Sequence, residues 1–161
     1  EVLPSGEEKI LHNGHWEESA EDSTETRGFF IEDDGGFQKP MEHWIGAMVF
    51  TPDAKMLITG SRDNTIRFFE MPTMNELRVV RGHNGWVRSL VVSPDGKVLI
   101  SAGDDNTIRF WDIATGRNFR TDKTHGGAVR GIALSPDGLR LASASLDRTV
   151  KLWEGGVEPA E

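Results

Sequence analysis

Two serine–histidine–aspartate sets carry the residue types most able to do chemistry in this sequence. His83, Ser101 and Asp105 form one, and His125, Ser143 and Asp147 form the other, at identical offsets. In a hydrolase such a trio activates a serine hydroxyl, the imidazole taking its proton while the carboxylate orients the ring. Each set here also ends in a tryptophan, Trp111 or Trp153, with 27 residues between the His and the Trp. Two copies of one trio in a chain of 161 residues are odd for catalysis and normal for a repeat. Neither serine sits in a Gly-x-Ser-x-Gly elbow. No catalytic residue is therefore assigned, and the chain is expected not to be an enzyme.

Other reactive patterns are sparse. His12 and His15 flank Asn13-Gly14, with Trp16, Glu17 and Glu18 behind them. A metal would need further ligands at recognisable spacing, and none is present. Asn-Gly between short half-apolar runs is a hairpin turn signal instead. Phe29-Phe30-Ile31 and Phe37, around Asp34-Gly35-Gly36, suggest a second short hairpin. There is no phosphate-binding glycine loop. Neither a metal nor a cofactor is expected.

The elements that position these residues follow from a period of 42. Pro52-Asp53, Pro94-Asp95 and Pro136-Asp137 are 42 apart, as are Leu57, Leu99 and Leu141, and Asp63, Asp105 and Asp147. The run Asp63-Asn-Thr-Ile-Arg-Phe68 recurs letter for letter at 105–110. Within the second copy, Trp86–Val92, Val98–Ala102, Thr107–Trp111 and about Asn118–Thr121 read as strands. Ser93-Pro94-Asp95-Gly96 and Gly103-Asp104-Asp105-Asn106 read as turns. Thr107 and Arg109 are expected to point outward, Ile108 and Phe110 inward. Four antiparallel strands in about 42 residues is the unit of a propeller blade.

On these residues the sequence resembles the WD-repeat (WD40) β-propeller family. The match runs from Gly82-His83 through Trp111-Asp112 and from Thr124-His125 to Trp153-Glu154. The expected fold is all-β, with three clear blades of an incomplete propeller at about 43–81, 82–123 and 124–154. Residues 1–42 form an acidic N-terminal segment, read as a possible degraded blade remnant, and 155–161 form a C-terminal tail. The resemblance implies that His, Ser, Asp and Trp of each copy build a buried hydrogen-bond chain, with Trp donating to the hydroxyl, the hydroxyl meeting one His nitrogen, and Asp holding the other. The first copy keeps only part of this set. Thr59 and Asp63 are present, but Phe69 replaces the Trp, Met41 occupies the His position, and His43 falls two residues late. Its chain cannot close in the same way. The adaptor-binding arginine that many family members carry two places after the Trp-Asp pair is absent, since those places hold Pro72, Ala114 and Gly156.

Composition bounds the function. The net charge of −8 is concentrated in residues 1–42, which carry −9, while residues 43–161 carry +1. That argues against binding of nucleic-acid phosphates. Cysteine is absent, which fits a reducing, intracellular compartment, cytoplasmic or nuclear. No apolar run long enough for a membrane span and no secretory signal is seen. The family resemblance implies a protein-interaction scaffold whose partners are other proteins or peptides. Positions that vary between copies at one rim are the binding candidates. They are Trp44 and Trp86 (Ala128 in the third copy), Arg88 and Arg130 (Gly46 in the first), and Arg62 and Asp104 (Leu146 in the third). Three blades fall below the four to eight of a closed propeller. A fragment of a larger propeller is therefore expected, with self-association through exposed blade edges as a consequence. The alternatives are a propeller that binds or hydrolyses a ligand at its central channel, and a truncated product without independent function.

Overall fold

The structure, a computed structural model, describes residues 9–12, 15–18 and 44–155. The chain divides into two compact units, Glu1–Glu42 and His43–Glu161. In the first, β1 (Lys9–His12) pairs antiparallel with β2 (His15–Glu18), His12 opposite His15. The hairpin expected from Asn13-Gly14 is thus present as two paired strands. The second expected hairpin, Met41 and His43 lie outside the described residues.

Among the described residues the second unit is built of three antiparallel sheets. The first holds β3 (Ile45–Phe50), β4 (Met56–Ser61), β5 (Thr65–Glu70) and β6 (Glu76–Arg81), in chain order. The second repeats this with β7 (Val87–Val92), β8 (Val98–Gly103), β9 (Ile108–Asp112) and β10 (Asn118–Asp122). The third has three strands among the described residues, β11 (Val129–Leu134), β12 (Arg140–Ser145) and β13 (Val150–Glu154). The edge strands β3, β7 and β11 lie side by side, so the sheets stack like successive blades.

Turn chemistry sets the strand spacing. In each copy the hydroxyl of Thr51, Ser93 or Ser135 donates to the aspartate two residues on, closing the Pro-Asp turn. Gly96 and Gly138 then take φ of 74°, a left-handed conformation glycine adopts without steric cost. Ala54 holds the same place at φ 55°.

Two apolar layers hold the stack. Ile58, Ile66 and Phe68 of the first sheet pack with Val87, Leu90, Leu99 and Trp111 of the second. Ile100, Ile108 and Phe110 of the second pack with Val129, Ile132 and Leu141. Arg78 on β6 adds a tie to the second sheet, donating to the carbonyls of Ile113 and Ala114 at 3.1 and 2.8 Å. One orientation expected from the sequence is wrong. Thr107 is buried, not outward, because its hydroxyl turns in to donate to Asp105 at 2.8 Å.

Candidate functional site

The second sheet places its four tetrad residues in one buried chain. Trp111 Nε1 donates to Ser101 Oγ at 2.8 Å, and His83 Nε2 lies 2.7 Å from the same oxygen. His83 Nδ1 stands 3.0 Å from both Asp105 oxygens. Because a carboxylate only accepts, Nδ1 carries a proton and donates to Asp105. The third sheet repeats the arrangement. Trp153 Nε1 donates to Ser143 Oγ at 3.0 Å, His125 Nε2 is 2.8 Å from that oxygen, and His125 Nδ1 is 2.8 Å from Asp147. Ser101, Ser143, His83 and His125 are all buried.

Sequence reasoning missed one member of each set. Thr107 and Thr149 donate to the same aspartates, at 2.8 and 2.6 Å, and approach the histidines at 3.4 Å. Their recurrence two residues after the aspartate at the 42-residue period was the available signal. The backbone N–H groups of Asn84 and Gly126 also point at these carboxylates, at 2.9 and 3.0 Å.

The carboxylates respond to this environment. Burial is the largest influence on Asp105 and raises its pKa, but hydrogen bonds from His83, Asn84 and Thr107 together outweigh it and hold the group well below the usual carboxylate range. Asp147 is lowered first by the Thr149 hydroxyl, against a smaller rise from burial, with His125 and Gly126 adding to the fall. For Asp63 burial again raises the pKa, and Thr65, Arg67 and Ser61 bring it down to about 2.

The first sheet shows what an incomplete set does. Thr59 Oγ1 is buried and has no hydrogen-bond partner among the described residues. Phe69, also buried, brings no donor to it. Asp63 is held by Thr65 Oγ1 at 2.6 Å and by Arg67 at 2.9 Å.

The rim candidates converge. Trp44 and Trp86 meet edge to face with ring centroids 6.2 Å apart. The Arg62 guanidinium carbon lies 5.4 Å from the Trp44 ring centre and 4.3 Å from that of Trp86. Arg88 stacks on Trp86 at 3.9 Å and grips Asp104 through Nε and Nη2, the shortest contact being 2.7 Å. Arg130 reaches the same carboxylate at 3.5 Å. The six residues therefore form one continuous ladder across three sheets, with Trp44 57% exposed. The three guanidinium–indole distances are all within cation–π range, about 6 Å.

Period-two alternation is not what aims Arg88. Trp86 precedes β7, and the register shifts between Val87 and Ser89. The same shift occurs between Ile45 and Ala47 and between Val129 and Gly131. Gly46, Arg88 and Arg130 are thus the bulge residues of three edge strands, and bulges re-aim side chains. Gly46 is not a free surface position. A Cβ there would lie 2.5 Å from the Val87 carbonyl oxygen.

Among the described residues no group of three or more His, Asp or Glu is placed to hold a metal, and no helix is long and apolar enough to cross a membrane. The family model for the WD domain, G-beta repeat, matches residues 38–70, 74–112 and 116–154. The chain is similar to two solved structures, one of U3-55K and one of the RRP9 WD40 repeats. Each is 28% identical with a TM-score of 0.68. The similarity covers 72% of this chain and 37% of each of those chains. The chain therefore spans little more than a third of the length of the solved relatives. No curated protein matches the sequence.

Proposed function

The chain belongs to the WD domain, G-beta repeat family, and from that premise we propose that it is an intracellular protein-binding scaffold whose docking surface is the indole–guanidinium ladder on one rim. The observation that carries this reading is the ladder itself. Trp and Arg are the side chains that most often anchor interfaces, and here five of them, with Asp104, share one edge of the stack. Asp104 neutralises part of the charge of Arg88 and Arg130. Arg62 stands in the Asp104 register position and faces two rings. A peptide carboxylate can meet that cation while an apolar or aromatic side chain lies on the exposed Trp44. The favoured partner is therefore an acidic peptide segment carrying an apolar residue.

Hydrolysis at the Ser-His-Asp sets has no comparable support. Each serine oxygen is engaged by both a tryptophan and a histidine inside the sheet stack, beyond reach of a substrate. A peptide array separating acidic, basic and neutral sequences tests the scaffold reading. Acidic aromatic peptides should bind, and Trp44→Ala with Arg62→Ala should weaken them about tenfold or more, the 1.4 kcal/mol or so of a modest hot spot. Binding that ignores peptide charge, or survives the double substitution, contradicts it.

A further inference from the structure

The two outward faces of the sheet stack are uncovered in a complementary way. Val150 and Leu152 on β13 are 75% and 64% exposed, while their register equivalents Ile108 and Phe110 are 1% and 3% exposed. Ile66 and Phe68, the equivalents in the first sheet, are buried as well. At the other end, Met48 and Phe50 on β3 are 64% and 53% exposed. Their equivalents, Leu90 with Val92 and Ile132 with Leu134, are the residues that cover Ile66 with Phe68 and Ile108 with Phe110 inside the stack. The same pair of register positions therefore builds both internal layers and stands open, one half at each end.

We propose that two copies of this chain join head to tail, with Val150 and Leu152 of one copy packed beneath Met48 and Phe50 of the other. The register also repeats at the small-residue positions. At the second junction Ala102 and Val129 are buried in one apolar layer. Their register equivalents at the two ends are Ala144 and Ile45. A head-to-tail contact either closes into a ring or grows into a filament. Two copies bring six of the described blade sheets, within the four to eight over which propellers close, so a pair closed with both junctions made is the expected form.

Light scattering coupled to size exclusion on the full chain tests this. The wild type should show twice the 17.9 kDa chain mass. Val150→Glu with Leu152→Glu should halve the mass, and Met48→Glu with Phe50→Glu should do the same. Both variants should keep the wild-type near-ultraviolet circular dichroism, since these side chains are exposed. A monomeric wild type would overturn the proposal. So would either variant that stays dimeric, which would mean that like faces pair.

Discussion

At the scale of single residues, the chain contains its own controls. Ser101 accepts from Trp111 and faces His83, so Ser101→Ala strands two buried groups and should cost about 1–3 kcal/mol. Thr59, in the same register position, has no partner among the described residues. Thr59→Val removes an unsatisfied hydroxyl at nearly constant shape, and should leave the thermal midpoint unchanged or raise it. Equal losses from the two substitutions would show that the hydrogen-bond chain contributes nothing. Backbone conformation supplies a second pair. Ala54 and Arg148 sit at φ 55° and 69°, where the other copies place Gly96 or Gly138 and Asn64 or Asn106. Ala54→Gly and Arg148→Asn should each stabilise, by about 0.5–1 kcal/mol, because left-handed geometry disfavours a Cβ but suits Gly and Asn. Thermal melts that fall on either substitution would contradict this. Such residues were legible in the sequence because a 42-residue repeat aligns the chain with itself. Thr107 was misread because strand alternation says nothing about a hydroxyl that turns back to its own loop's carboxylate.

At the scale of strands and turns, the bulges near the start of β3, β7 and β11 decide where the rim side chains go. The convergence of Trp44, Arg62, Trp86 and Arg88 was legible from register alone. The bulge was not, because an extra residue in a strand leaves no mark on hydrophobic periodicity. Nor was the grip of Asp104 on Arg88 and Arg130, which needs neighbouring sheets to be in place. Gly46 shows the other side of the same geometry. Its variation against Arg88 and Arg130 resembles freedom to specify a ligand, yet the β7 backbone leaves no room for a Cβ. Gly46→Ala should force β3 away from β7 and destabilise by about 1–3 kcal/mol, as overpacking does. Chemical denaturation checks this, and a neutral outcome would mean that the first sheet can shift without loss.

At the scale of the whole molecule, the lowered carboxylates set an acid limit on stability. Asp63, Asp105 and Asp147 all titrate below the ordinary value of 3.8, Asp63 at about 2. A depressed folded-state pKa gives stability that is present above the unfolded value and is lost as pH falls towards the folded one. Melting temperature should therefore be insensitive to these groups from pH 7 to about 5, then fall steeply from about pH 4 downward. Asp105→Asn should lower the neutral midpoint and flatten that limb. An unchanged limb would place the acid sensitivity elsewhere. The fold class was readable from spacing and the hydrogen-bond chains from the family resemblance, whereas the uncovered faces of the stack were not, since exposure depends on what packs outside a sheet. In the proposed function the rim ladder binds peptide while the buried chains only hold the sheets together. Indole N–H resonances separate the two directly. The sequence has five tryptophans. On titration with a glutamate-rich peptide bearing one phenylalanine, the Trp44 and Trp86 signals should shift in a saturable way. The Trp111 and Trp153 signals, donated to Ser101 and Ser143, should stay in place and exchange slowly with solvent. Silent rim tryptophans, or shifts confined to Trp111 and Trp153, would contradict the account.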